Sequence, residues 1–134
     1  GRLDKDSEGL LLMTNNGEIL NKMMRAGNYH EKEYVVTVDK PVTDDFIKKM
    51  STGVRILDQI TRPCKVTKVK KHVFNIVLTQ GLNRQIRRMC GELGYNVQKL
   101  KRIRIMNIEL GNLPVGQYRK VTDSELKELM RNFN

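Results

Sequence analysis

The stretch GRLDKDSEGL, Gly1–Leu10, places Asp4 two positions after Arg2. Far along the chain, QGLNRQIRRM, Gln80–Met89, carries Arg84, Arg87 and Arg88 at helical offsets of three and four. Asp4 held opposite a guanidinium would be a buried acid facing a fixed cation. A neighbouring guanidinium favours the ionised carboxylate. Arginine also makes paired hydrogen bonds to phosphate or carboxylate. In a basic protein this is an arrangement for chemistry on a polyanion.

The second stretch must be a helix for this to work. Asn83 is predicted to cap it, and it should run to about Leu93. Ile86, Met89, Cys90 and Leu93 form its apolar face, at offsets of three, four and seven. Gly81 allows a tight approach, and the helix N-terminus itself attracts phosphate. A solvated charged face accounts for the same arginines equally well. By composition Asp4 has no privilege over Asp6 and Glu8, and a turn or capping role is the ordinary reading. Tyr34 reads as strand packing, and Lys32 and Lys40 read as solvated surface groups.

The remaining elements must hold these segments together. Leu10–Thr14 is a short apolar run, predicted as a strand and broken at Asn15-Asn16-Gly17. Asn16 is placed to cap a helix bearing Ile19, Leu20, Met23 and Met24, with Gly27 ending it. Glu33–Val38 is rich in β-branched residues and reads as a buried strand. Beyond Pro41, Thr43 should cap a second helix with Phe46, Ile47 and Met50 inward. Val54–Leu57, Ile60–Val69 and Val73–Thr79 read as strands, and Val97–Leu110 as an interrupted strand region. Thr122 and Glu125 form a capping box for a last helix, with Val121 and Leu126 as its staple. Leu126, Leu129, Met130 and Phe133 make its apolar stripe. The pattern predicts an α+β domain: a mixed, mainly antiparallel sheet flanked by helices.

The 134 residues fit one domain with a real core. A net charge of +10 favours a polyanionic partner, of which nucleic acid is the commonest. Aromatic residues are scarce and Trp is absent, which argues against multi-base stacking platforms. Cys64 and Cys90 have no Cys or His at close spacing, and His30 and His72 are equally isolated. This excludes a disulfide framework and a metal-ligand motif, and the thiols fit a reducing cytoplasm. No apolar run approaches membrane-spanning length. The chain opens in mid-motif at Gly1, without methionine, and is expected to be a piece of a longer protein.

Four segments together carry a family resemblance. GRLDKDSEGLLLMTNNG, Gly1–Gly17, resembles the catalytic motif of RNA pseudouridine synthases of the RsuA subfamily. HEKEYVVTV, His30–Val38, is similar to the family's tyrosine-bearing strand, and QGLNRQIRRMCGELGY, Gln80–Tyr95, to its arginine motif. Leu100–Leu126 resembles the subfamily's C-terminal pattern. HEKEY and LNRQIRRMC are closest in wording to the RluF-type branch. The motifs cover essentially the whole chain in the right order, which is far more specific than any one of them.

The resemblance implies roles. Asp4 matches the catalytic aspartate, Tyr34 the tyrosine that packs against the target base, and Arg87 the arginine that pairs with the aspartate. Arg2 matches a substrate-side arginine. Lys32, Arg84, Gln85 and Arg88 complete the expected RNA-binding set, while Asp6 and Glu8 remain structural. Family members of this type carry an N-terminal RNA-binding module and an early basic segment, so the chain is expected to be a catalytic domain that lacks both.

The implied function is isomerisation of a uridine to pseudouridine in structured RNA, ribosomal or transfer RNA, by a cytoplasmic monomer. Uracil leaves its sugar, turns and rejoins through carbon. The product is an isomer, so no cofactor or metal is expected. Attack on the sugar, attack on the ring and elimination to a glycal all stay open. The competing reading is a non-catalytic RNA-binding or ribosome-assembly module. A basic nuclease would want a general-base His or a metal cluster, and neither motif is present.

Overall fold

Local capping chemistry sets the helices. In the computed structural model, which describes residues 2–25 and 29–132, Asn16 accepts from the Glu18 and Ile19 amides and opens helix α1, Gly17–Met24. Thr43 accepts from the Phe46 amide and opens α2, Asp44–Thr52. The Thr122–Glu125 capping box is formed at α4, Asp123–Arg131, with both reciprocal hydrogen bonds made. Gly27 and Phe133, expected to end α1 and extend the stripe of α4, lie outside the described residues.

The strands are β1 (Glu8–Gly9), β2 (Lys32–Val38), β5 (Lys65–Lys70), β6 (Val73–Leu78), β7 (Val97–Ile105) and β8 (Ile108–Glu109). They form one sheet in the order β1-β7-β2-β6-β5, with β8 paired to β7. β1 runs parallel to β7 and the other pairings are antiparallel. A separate hairpin joins β3 (Arg55–Ile56) to β4 (Gln59–Ile60). Helix α3, Gln85–Glu92, follows β6. This is the expected α+β architecture around a mixed, mainly antiparallel sheet.

One face of the sheet buries the main core. Val36 and Val38 of β2, Phe74, Ile76 and Leu78 of β6, and Leu100 of β7 meet Phe46 and Met50 of α2 and Ile86, Met89 and Cys90 of α3. A second cluster, Leu10, Ile105, Met106, Ile108 and Leu129, ties α4 to the β7–β8 turn.

Two expectations are corrected. Leu10–Thr14 is not a strand; pairing stops at Gly9, and Leu11 and Met13 are exposed. The region 60–69 is two strands, because Pro63 lies between β4 and β5. α1 buries none of its residues fully, and its Met23 packs, partly buried, against the second cluster. Val121 and Leu126, at the positions of the expected staple, are both partly exposed.

Candidate active site

Three segments converge at one end of the sheet. The first is a tight turn in which the Ser7 amide donates to the Asp4 carbonyl at 3.0 Å. The chain then runs into β1, where Gly9 stands opposite Arg102 of β7. The Leu10 amide donates to the Arg102 carbonyl at 2.8 Å. Arg102 returns the contact with its side chain: Nε donates to the Leu10 carbonyl at 2.8 Å, and Nη1 to the Arg2 carbonyl at 3.4 Å. The Arg102 guanidinium is 1% exposed and thereby brackets the segment that carries Asp4.

The second segment is α3. Arg87 Nη2 donates to the Asp6 carbonyl at 2.8 Å, and Arg84 Nη1 lies 3.9 Å from the Asp6 carboxylate. The third is β2, where Tyr34 stands in register with Arg102 on one side and Ile76 on the other. Tyr34 is partly buried against the main core.

Asp4 is half buried on this turn. The expected Asp4–Arg87 ion pair is not among the ion pairs of the described residues. Arg87 instead takes a backbone carbonyl of the same turn, so it positions the strand of chain that presents Asp4. Its Nε is buried without a partner, as is the Ser7 hydroxyl on the turn. Buried donors left unpaired cost free energy.

The other expected contacts divide. Arg2 is exposed, although its carbonyl is held by Arg102. Arg84 is the N-cap of α3 in a left-handed conformation, φ 49°, and its side chain reaches the surface. Asn83, expected as the cap, makes no such bond. Its carbonyl and Oδ1 accept from Arg88 Nε and Nη2, both at 2.9 Å, which folds Arg88 back on the loop. Gln85 is 4% exposed: its Oε1 accepts from the Leu82 amide and its Nε2 donates to Gln80 Oε1. Its amide therefore holds the loop into α3 together and is not presented to solvent.

Lys32 is half buried at the start of β2. Burial, and then the nearby Arg102 charge, hold its pKa below the ordinary lysine value. Arg102 itself was not singled out from sequence. It shares the inward side of β7 with Leu100, and a basic residue in phase with apolar ones is the signal that marks it. A bulge between the Glu33 and Tyr34 pairings breaks that period and hides the signal.

Among the described residues, no group of three or more His, Cys, Asp or Glu is placed to hold a metal ion. Nor is any helix of the described residues long and apolar enough to cross a membrane.

Comparison with known proteins matches this geometry to a family. The family model described as RNA pseudouridylate synthase matches residues 1–92. The dual-specificity RNA pseudouridine synthase RluF of Escherichia coli (strain K12) is 59% identical over 131 residues, covering 98% of this chain and 45% of that protein. The ribosomal large subunit pseudouridine synthase B of Bacillus subtilis (strain 168) is 36% identical, covering 96% of this chain and 55% of that protein. A solved structure, described as the crystal structure of pseudouridylate synthase, superposes with a TM-score of 0.92 at 31% identity, over 96% of this chain and 57% of that one. The chain thus spans about half the length of these relatives. Since the family model takes in most of the chain, including the turn of Asp4, the strand of Tyr34 and the helix of Arg87, the chain belongs to the RNA pseudouridylate synthase family.

Proposed function

We propose that this domain is the catalytic part of an enzyme that isomerises uridine to pseudouridine in structured RNA. Large-subunit ribosomal RNA is the first substrate class, given what the Bacillus subtilis relative is named for, and transfer RNA is the second. One observation carries the reading: on the turn that presents Asp4, Arg87 of α3 binds the carbonyl of Asp6, 81 residues away in sequence.

Asp4 is the carboxylate that acts on the ribose or the base. Arg87 positions its turn, and Tyr34 packs against the loosened uracil so that it turns without leaving. A stacked uridine cannot reach such a site, so the nucleotide is flipped out at a cost on the order of a few kcal/mol. Contacts from the basic surface to the RNA backbone offset that cost. Arg2, Arg84 and Arg88 are the first candidates, and shape around a loop or bulge selects the target. The protein works as a cytoplasmic monomer without a cofactor.

The test is to map pseudouridine in ribosomal and transfer RNA from cells with the gene, without it, and with Asp4→Asn. A site that vanishes on deletion and stays absent with Asp4→Asn supports the assignment. Full modification by Asp4→Asn removes the aspartate from the chemistry. An Asp4→Asn protein that leaves the uridine unmodified should still bind the RNA within a few-fold of the parent. Deletion that changes no pseudouridine while RNA binding persists favours the non-catalytic module.

A further inference from the structure

Lys32 opens β2 two positions before Tyr34, on the same face of the sheet, with Leu78 and Ile105 as its register partners. Both partners are buried. The Lys32 ammonium lies 3.7 Å from the position that a Cβ on Gly81 would occupy. It therefore rests over the loop that leads from β6 into α3. Gly81 is exposed, so this edge is open to a ligand.

The Lys32 ammonium makes no hydrogen bond or ion pair among the described residues. Asp4 forms no ion pair with Lys32 among the described residues, and the other acids of the surrounding elements are committed elsewhere. Glu31 and Glu33 both hold Arg104, Asp6 lies against Arg84, and Glu8 pairs with Lys99. The charge that does act on Lys32 is the like charge of Arg102. A half-buried ammonium between apolar neighbours and a second cation is unfavourable until an anion joins it. A lysine with no task would swing its head into water instead. The anion that an RNA substrate brings is phosphate, one per nucleotide. A compact ammonium suits a phosphate oxygen as a point charge.

We propose that Lys32 binds the phosphodiester next to the extruded uridine, so that the Lys32–Gly81 edge fixes the backbone while Tyr34 and Asp4 meet the nucleoside. This rests on the reading of the site as a pseudouridine synthase centre, and it adds a phosphate-binding subsite to it. Lys32 is thus assigned to one phosphate at the site, not to the general basic surface.

The experiment uses the full-length protein and an RNA stem-loop containing the mapped uridine. In two further RNAs, the phosphate on the 5′ or the 3′ side of that uridine is replaced by a neutral methylphosphonate. Affinity and single-turnover rate are measured for the parent, Lys32→Met and Lys32→Arg. One of the two methylphosphonates should weaken binding to the parent by about tenfold, the effect of one charged contact. Lys32→Met should bind the unmodified RNA equally weakly and lose nothing more from that methylphosphonate. Lys32→Arg should recover most of the affinity.

Three results would overturn the assignment. One is a parent indifferent to both methylphosphonates. Another is losses from Lys32→Met and methylphosphonate that multiply. The third is a loss in rate with affinity unchanged, which would place the ammonium on the base. If Lys32→Met does not fold, Lys32→Arg and the parent's response to the methylphosphonates still decide. Binding without isomerisation by the parent would instead count against the catalytic reading, and the binding arm would still test Lys32.

Discussion

A methyl group on Gly9 would sit 2.2 Å from the carbonyl oxygen of Arg102 and 2.5 Å from its amide nitrogen. The two residues face one another where β1 runs parallel to β7, and Gly9 adopts φ +116°. The segment that carries Asp4 is thus pressed against the strand that also supplies its guanidinium clamp. No other residue type fits there without moving backbone, and backbone in a central strand does not move cheaply. Gly9→Ala should lower stability by roughly 2–4 kcal/mol, from clash and strained φ together. Urea unfolding monitored by circular dichroism would show it. An unchanged midpoint would mean that β1 is free to lift off β7.

Arg102 is the complementary element. Replacing it with Met keeps an unbranched apolar stem but leaves the Leu10 and Arg2 carbonyls without this donor. Each unsatisfied buried acceptor costs about 1–3 kcal/mol. Arg102→Met should destabilise the protein and raise amide exchange over residues 3–10 ahead of the β2–β6 pair. Uniform acceleration of exchange across the sheet would show that Arg102 supports the whole core rather than this segment.

Arg87 Nη2 donates to the Asp6 carbonyl on the turn that carries Asp4. Arg87→Lys keeps the charge and loses the planar fork that reaches the turn. The turn should then sit off its productive position, with a loss in kcat on the order of 100-fold and little change in KM. The comparison to make is kcat and KM for parent and variant on one RNA. A rise in KM at constant kcat would make Arg87 an RNA contact instead.

Much of this was legible because the signals were local. Asn16, Thr43 and Thr122 each satisfy amides two or three residues ahead, and those bonds need no tertiary partner. The strand Glu33–Val38 was legible because its β-branched residues sit between two neighbours. The proposed site residues Asp4, Tyr34 and Arg87 came from the family likeness; spacing alone left Asp4 level with Asp6 and Glu8. What was not legible depends on distant pairing. Glu8–Gly9 is a strand only because β7 lies beside it, whereas the more apolar Leu10–Thr14 has no such neighbour. Asn83 had the composition of a cap, but Arg84 enters the left-handed region and turns Asn83 toward Arg88. Gln85 looked like one more polar residue beside the arginines, and its burial follows from the loop folding over it.

That contrast between Gln85 and Arg84 is testable. Gln85→Leu removes the acceptor of the Leu82 amide and should cost roughly 1–3 kcal/mol of stability. It should leave the salt dependence of RNA binding unchanged. Arg84→Ala should do the reverse, with small loss of stability and a salt slope flatter by about one. A flattened slope for Gln85→Leu would mean that the loop, and not Arg84 alone, carries phosphate contacts.

The C-terminal helix gives a prediction in pH. Glu125 accepts from Arg119 at 2.7 Å and from the Thr122 amide at 2.8 Å. The Arg119 hydrogen bond first, and then the backbone bond to Thr122, bring its pKa down to about 2 from an ordinary 4.5. A carboxylate depressed in the folded state stabilises that state above its unfolded pKa, and the contribution fades as pH falls through the folded value. The fraying of α4 should therefore set in between pH 4.5 and 2, and should be shallow because the pair is near solvent. Following the Glu125 carboxyl and the Asp123–Arg131 amides by NMR through that window would track both together. Arg119→Ala should shift the carboxyl titration upward toward the ordinary value. A titration unmoved by that substitution would assign the depression to the capping box alone.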